Sequence, residues 1–375
     1  MAMPSVFCFM SFLLQFLGDV WPFLLVLTPL VFFHELGHYL VARYVGVKID
    51  VFSIGFGPEI FGWHDRLGTR WKVSWIPLGG YVKMHGDADV SSRPEQDLSP
   101  EVLAQTMHGK TPLQRMAISF AGPLANYILA VVCFAFIFLV RGVDQWDCVI
   151  QAPVPQSPAF EAGLQKDDRI VAVNNQSVST FHDIVRHVRQ DEGQSLLLHI
   201  ERQEATQDIV IEREKLAAFG GRLGIMPARS FVERVNPFQA VSMAFGRVVS
   251  LSVDIAANIW GMLTGKVSSE GMGGVLMIGK MARDVSLSGF FPLVIFLAIL
   301  SVSLGFFNLL PIPMLDGGHI LLCVAELVMG KKLSEAFVEW FFRVGFVLII
   351  MLFLFTTWND SKRLGIITFF QRMFA

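Results

Sequence analysis

Apolar runs divide the chain, and four of them are long enough to cross a lipid bilayer, which takes roughly 20 mostly apolar residues. The pattern predicts spanning helices over residues 21–41, 116–140, part of 285–315 and 338–358. A fifth apolar stretch, 237–264, carries Arg247 and Asp254 near its middle, where charge is costly. We therefore expect a helix at the membrane interface there, with a fifth span as the alternative.

Basic residues indicate how these spans are oriented. The segment between the first two spans is rich in Lys and Arg, and Lys331 and Lys332 lie between the last two. Such loops favour the cytoplasmic side, so the long region from 141 to about 283 is expected outside. Residues 1–18 contain no Lys or Arg, so they lack the positively charged region with which a signal peptide begins. We interpret them as the lead-in to the first span.

Two segments outside the spans have strand-like patterns. Between 50 and 85, apolar and polar residues alternate on both sides of Gly79-Gly80, which predicts a β-hairpin. Within 147–228, strands are predicted at 169–173, 196–201 and 208–212 and a helix at 181–189, which indicates a small α+β domain.

Composition excludes several classes of protein. Hydrophobic residues make up 53 % of the 375 residues, charged residues 17 %, and the mean hydropathy is +0.53. A disordered chain, a coiled coil and an ordinary cytosolic enzyme do not fit these values. The net charge of −2 offers no basic surface for nucleic acid. The four cysteines form no CxxC pair, so no cysteine zinc site is predicted.

The strongest chemical signal is the run His34-Glu35-Leu36-Gly37-His38 at the end of the first span. Residues i and i+4 of a helix share a face, so both imidazoles can bind one Zn²⁺. Glu35 beside them is able to take a proton from metal-activated water. A polar patch at the end of the span is the simpler interpretation, but ionisable residues within spans are usually functional.

A catalytic zinc site needs a third protein ligand, and Asp316 is the best candidate. It follows Pro311 and Pro313, which break the helix at the predicted end of the third span, and precedes Gly317-Gly318, which permits close backbone approach. A capped helix end with a turn is the alternative. His319 has two interpretations, a support for the metal ligands or a residue that simply faces the membrane interface, and we expect the second.

These motifs resemble a known family. His34-Glu35-Leu36-Gly37-His38, the segment Asn308–Gly318 (NLLPIPMLDGG) and Gly79–Met84 (GGYVKM) closely resemble the site-2 protease family of intramembrane metalloproteases. The branch of the bacterial regulator-of-sigma-E protease fits best. The runs 157–164 and 168–174 resemble a PDZ domain of the bacterial protease type, which would bind peptides or only obstruct access.

The resemblance implies roles for particular residues. His34, His38 and Asp316 would bind Zn²⁺, Glu35 would be the general base, and Asn308 would help to hold the substrate. Gly79, Gly80 and Tyr81 would belong to a membrane-entering hairpin that pairs with an unwound substrate. Substrates would be single-span membrane proteins, such as anti-sigma factors or remnant signal peptides, shortened first by another protease.

Two features depart from the family pattern. The better-known members of this branch carry two PDZ domains, whereas this sequence shows a resemblance to one, so looser gating of substrate entry is expected. Residues Gly273-Gly274-Val275 stand where the family tends to have Gly-Pro-Val or Gly-Pro-Ile.

The predicted fold is a polytopic α-helical membrane protein of about four transmembrane helices, with a membrane-associated β-hairpin and one inserted α+β PDZ-like domain. Its predicted segments are 1–45 (first span), 46–112 (cytoplasmic side with hairpin), 113–141 (second span), 147–228 (periplasmic PDZ-like domain), 229–285 (interfacial helix and linker), 286–318 (third span) and 319–375 (fourth span and tail). The expected function is zinc-dependent intramembrane proteolysis in the bacterial inner membrane. A zinc transporter and an inactive PDZ scaffold are the weaker rivals.

Overall fold

The computed structural model describes residues 4–86, 99–190, 193, 195–267 and 273–365. The ends of the predicted segments 1–45 and 319–375, and parts of 46–112, 147–228 and 229–285, lie outside the described residues. The chain divides into two compact units, Met1–Ile137 with Ala240–Ala375 and Phe138–Gln239. Each unit is described by itself.

The helices and strands of the described residues follow in chain order. The helices are α1 (Pro4–Tyr44), α2 (Pro100–Leu103), α3 (Pro112–Arg141), α4 (Pro158–Glu161), α5 (Phe181–Gln190), α6 (Arg213–Ala218), α7 (Pro237–Leu263), α8 (Val275–Leu287), α9 (Phe290–Asn308), α10 (Asp316–Met329) and α11 (Glu335–Arg363). The strands are β1 (Ile49–His64), β2 (Arg70–Met84), β3 (Val143–Trp146), β4 (Arg169–Val173), β5 (Gln176–Ser177), β6 (Ser195–Arg202), β7 (Ala205–Glu212) and β8 (Ser230–Glu233).

Five helices among the described residues are long and apolar enough to cross a membrane. They are Trp21–Tyr44 within α1, then α3, α7, α9 and α11. The protein is therefore a polytopic helical membrane protein with additional β-sheets. The sequence predicted four spans and placed α7 at the interface; length and composition also qualify α7 to span, and its interfacial position stays a prediction.

The predicted hairpin forms as two long antiparallel strands, β1 and β2, and packs against α1. The Phe52 ring, 1 % exposed, stacks on Trp71 with centroids 4.2 Å apart and meets Tyr39 of α1 edge-on. In the connecting turn, Asp65 accepts hydrogen bonds from the Tyr39 hydroxyl (2.9 Å) and the Trp71 indole (3.1 Å). These contacts attach the hairpin to α1 one residue beyond His38.

Helix α8 begins at the segment that departs from the family pattern. Gly274 has no side chain to cap it, but the buried Asp360 of α11 accepts hydrogen bonds from the backbone amides of Gly274 (2.9 Å) and Met277 (3.0 Å). A carboxylate there satisfies amides at the first turn that otherwise lack a partner. The proline is therefore not needed to start this helix.

The second unit contains an antiparallel four-stranded sheet in the order β5-β4-β6-β7, with a separate ribbon of β3 and β8. Strand β4 has the predicted bounds, and α5 covers the predicted helix with one further residue. Ile170, Ile184 and Leu198 are at most 1 % exposed in its core. Asp168, also 1 % exposed, binds Arg202 at 2.6 Å, so its buried charge is paired.

Candidate metal centre

Three potential ligands converge in the first unit. Helix α1 carries His34 and His38 one turn apart, and their Nε2 atoms lie 3.3 Å from each other. The carboxylate of Asp316 lies 3.2 Å from Nε2 of His34 and 3.4 Å from Nε2 of His38. These three residues form the one group among the described residues that could hold a metal ion through three such side chains.

The spacing fits zinc. A tetrahedral ion with bonds of about 2.0–2.1 Å separates its ligand atoms by about 3.3–3.4 Å. The three observed separations of 3.2, 3.3 and 3.4 Å agree with this geometry. Two imidazoles and one carboxylate are also a donor set that catalytic zinc takes, with a fourth position left for water.

The connection after α9 brings Asp316 to the histidines. Helix α9 ends at Asn308, as the following prolines predict, and the chain then turns tightly enough that Met314 adopts φ +74°. A Cβ on Gly317 would lie 2.2 Å from the Leu310 carbonyl oxygen, so only glycine fits there. Asp316 is the first residue of α10 and not the end of the third span, which corrects the predicted bounds of that segment.

Glu35 lies between the histidines and the hairpin. A Cβ on Gly80 would come within 3.4 Å of Glu35 Cγ, so β2 passes directly against this part of α1. Val82, two residues further along β2, lines the same cavity as Glu35. The Glu35 side chain therefore lies beside the metal ligands, where α1 and β2 meet.

A cavity of about 260 Å³ opens at this centre. The three potential ligands and Glu35 line it, together with Asn308, Gly80 and Tyr81 from the sequence prediction. Gly79 does not line the cavity. Its φ is +137°, and a Cβ there would lie 2.6 Å from the Phe56 ring, so a glycine is needed for the backbone conformation and for the close approach of that ring. His319 does line the cavity, so the expectation that it simply faces the membrane interface is wrong.

Helix α3 lies against both imidazoles, and the sequence analysis did not predict these contacts. Nδ1 of His38 donates to the Ile118 carbonyl oxygen at 2.8 Å, and Nδ1 of His34 lies 3.1 Å from Nδ2 of Asn126. Gly122 lies midway, and a Cβ there would be 2.3 Å from His38 Nε2. The spacing 118, 122, 126 is one helix face. An asparagine within an uncharged span was the signal that could have revealed it.

A partly buried ion pair links α10 to α3. Arg115 near the start of α3 binds Glu326 of α10, with side chains 16 % and 10 % exposed. Glu326 also accepts a hydrogen bond from the Leu333 amide at 3.3 Å. Because α10 begins with Asp316, this pair helps to hold the carboxylate near α1.

A zinc-type ligand set with an adjacent glutamate, among helices long enough to span a bilayer, defines a membrane metalloprotease. The chain belongs to Peptidase family M50, whose model matches residues 22–352. It is therefore a zinc-dependent metalloendopeptidase.

Curated relatives agree along almost the whole length. A Rhizobium meliloti protein is 38 % identical over 371 residues, 94 % of this chain and 98 % of the relative. An Agrobacterium fabrum protein is 37 % identical over 366 residues, 92 % of this chain and 96 % of the relative. Both carry the name "putative zinc metalloprotease". Metalloprotease MmpA of Caulobacter vibrioides is 32 % identical over 387 residues, 94 % of this chain and 97 % of that protein.

Proposed function

We propose that this protein is an intramembrane endopeptidase that hydrolyses peptide bonds within transmembrane segments of single-span membrane proteins. The observation that carries the proposal is the position of the candidate centre. His34, Glu35 and His38 line a cavity from a helix that is long and apolar enough to span a membrane. Asp316, at the start of α10, lines the same cavity and completes a set of three potential ligand atoms 3.2–3.4 Å apart. Placing an ionisable residue within a membrane span costs free energy, and the ionisable residues that do occur there usually have a function.

The residues around the cavity have distinct proposed roles. His34, His38 and Asp316 would hold zinc, which would supply an acidified water and positive charge near the substrate carbonyl. Glu35 takes the proton from the attacking water and returns it to the leaving amine. Asn308, at the last position of α9 and on the cavity wall, offers its amide to the substrate backbone.

The strand β2 is the proposed docking edge for the substrate. A helical peptide bond is shielded by its own hydrogen bonds, so the substrate must unwind before hydrolysis. Among the described strands β2 pairs only with β1, and Gly80 and Tyr81 line the cavity. An extended segment added beside Gly79–Tyr81 would regain backbone hydrogen bonds next to Glu35.

The second unit is proposed to be a periplasmic PDZ-like domain that binds a peptide or limits access by size. Its support is the sheet and helix α5 together with the sequence resemblance. We place the protein in the bacterial inner membrane, with substrates such as anti-sigma factors or remnant signal peptides after a first cut by another protease. The proposed partners are these substrates and the lipid bilayer. No nucleic-acid partner is proposed.

Metal content and cleavage, measured in the same purified preparations, test the proposal. Detergent-purified wild type should contain about one zinc per chain, the count expected for a single three-ligand site, and cut a single-span reporter in liposomes. Asp316→Ala should lose zinc and cleavage, because two histidines alone hold the metal weakly. Glu35→Gln should keep zinc and lose cleavage.

The same variants separate the rivals. A zinc transporter would keep transport in Glu35→Gln, since the metal ligands remain. A scaffold would leave the reporter uncut in the wild type. Folded wild type without zinc, or zinc unaffected by Asp316→Ala, would refute the proposed site.

A further inference from the structure

The side-chain amide of Asn126 is buried and incompletely paired. The residue is 0 % exposed within α3. Its Nδ2 lies 3.1 Å from Nδ1 of His34, while its Oδ1 is buried and has no hydrogen-bond partner among the described residues. A buried carbonyl oxygen without a donor costs free energy, so such an atom calls for an explanation.

The ligand geometry decides which ring nitrogen carries the proton. Nε2 of His34 faces Nε2 of His38 and the Asp316 carboxylate, at 3.3 and 3.2 Å, so Nε2 is the atom that would bind metal. A neutral imidazole that binds through Nε2 carries its hydrogen on Nδ1. Nδ1 of His34 is then a donor and needs an acceptor.

An amide nitrogen opposite Nδ1–H would place two donors against each other. The oxygen and nitrogen of an asparagine amide have nearly the same shape, and their assignment follows from the hydrogen-bond network. Turning the amide by half a turn presents Oδ1 to Nδ1–H of His34. The same turn gives the buried oxygen a donor and moves Nδ2 to the position that has no described partner, so the tautomer of His34 decides how the amide is oriented.

We propose that Asn126 is a positioning residue for the metal centre, with Oδ1 accepting the Nδ1–H hydrogen bond of His34 in the zinc-loaded protein. This inference rests on the proposed zinc site. It makes Asn126 the counterpart of the Ile118 carbonyl, which accepts from His38 at 2.8 Å two helical turns earlier. One face of α3 thus fixes the orientation and tautomer of both imidazoles.

The helix packing holds Asn126 in place independently of its amide. The Ser301 hydroxyl of α9 donates to the Asn126 backbone oxygen at 2.8 Å, and Ser301 is 0 % exposed. Ser301→Ala therefore disturbs the same helix contact without touching the amide. It is the matched control for Asn126 variants.

Zinc affinity distinguishes a positioning role from a purely structural one. Dissociation constants would be measured by competition with a chromophoric chelator on detergent-purified wild type, Asn126→Leu, Asn126→Asp and Ser301→Ala. Loss of the acceptor in Asn126→Leu should weaken zinc binding by about 10–100-fold. Asn126→Asp, which can only accept, should keep or tighten it, and Ser301→Ala should leave it unchanged.

Equal affinity in wild type and Asn126→Leu would overturn the inference, as would an equal loss in Asn126→Asp and Asn126→Leu. If Asn126→Leu does not fold, Co²⁺-loaded wild type supplies the test. Its proton spectrum should show two exchangeable, paramagnetically shifted imidazole N–H signals that exchange slowly with solvent. A single slowly exchanging signal would overturn the inference about Asn126, but the proposed function would stand as long as the wild type contains zinc. A wild type that binds no metal would overturn both.

Discussion

Adding one methyl group at Gly122 should remove the metal without unfolding the protein. A Cβ built on Gly122 lies 2.3 Å from Nε2 and 2.6 Å from Cε1 of His38, and 2.9 Å from Cε1 of His34. Both imidazoles, the proposed zinc ligands, are therefore in the path of the new methyl group in Gly122→Ala.

The size of the clash sets the expected effect. Favourable carbon contacts begin at about 3.5 Å, so the His38 ring must withdraw by about 1.2 Å. Metal–ligand distances tolerate about ±0.2 Å, and a misplacement of about 1 Å can cost about 10²-fold in rate. The ring cannot move freely, because its Nδ1 donates to the Ile118 carbonyl at 2.8 Å. Alanine is also favoured over glycine within a helix by about 0.5–1 kcal/mol, so α3 itself is not weakened.

Zinc per chain and reporter cleavage, with circular dichroism as a check of folding, measure this effect. We expect Gly122→Ala to retain helix content, to lose most of its zinc and to lose cleavage by about 10²-fold or more. Gly279→Ala on α8 is the control, because its added Cβ has no neighbour within 4 Å. Folded Gly122→Ala with wild-type zinc and cleavage would refute the reasoning from this geometry.

Two further predictions concern the supports of the site. Asp360→Ala leaves the amides of Gly274 and Met277 without their acceptor, and should lower the free energy of unfolding by about 2 kcal/mol. Asp360→Asn should lower this free energy by less. Melting curves that are unchanged in both variants would contradict the prediction. Partial burial would raise the pKa of Asp65, but hydrogen bonds from Trp71 and its other donors lower it to about 2. The ionised Asp65 carboxylate should therefore stabilise the hairpin fully above about pH 4, and this stabilisation should be lost as the pH falls toward 2. A pH titration of tryptophan fluorescence that is the same in the wild type and in Asp65→Asn would refute this.

Local elements were predictable because short-range periodicity encodes them. Alternation from 169 to 173 predicted β4 at its observed bounds, and the apolar face of 181–189 predicted α5. The hairpin was predicted in separate pieces, yet its strands run as β1 and β2 through several register shifts. Such irregularities depend on packing against α1, which no local pattern records.

The candidate site was predictable only in part. His319 was expected at the interface, but α10 turns it into the cavity, with its ring 4.9 Å from that of Phe342. Asn126 was passed over because one polar residue in a span has many possible partners. The Asp316 motif was identified, but its position at the start of α10 follows from the turn after Asn308 and not from the length of the apolar run.

By itself, the sequence determined the helix that carries His34, Glu35 and His38, because residues four apart on a helix share a face whatever surrounds them. Tertiary packing alone decided which groups meet that face. Gly37 allows α1 to approach α3 so closely that a Cβ would lie 2.2 Å from the Ala121 carbonyl oxygen, and this brings Asn126 to His34. Contacts between distant helices depend on how side-chain volumes fit together in three dimensions, and chain periodicity carries no record of that fit.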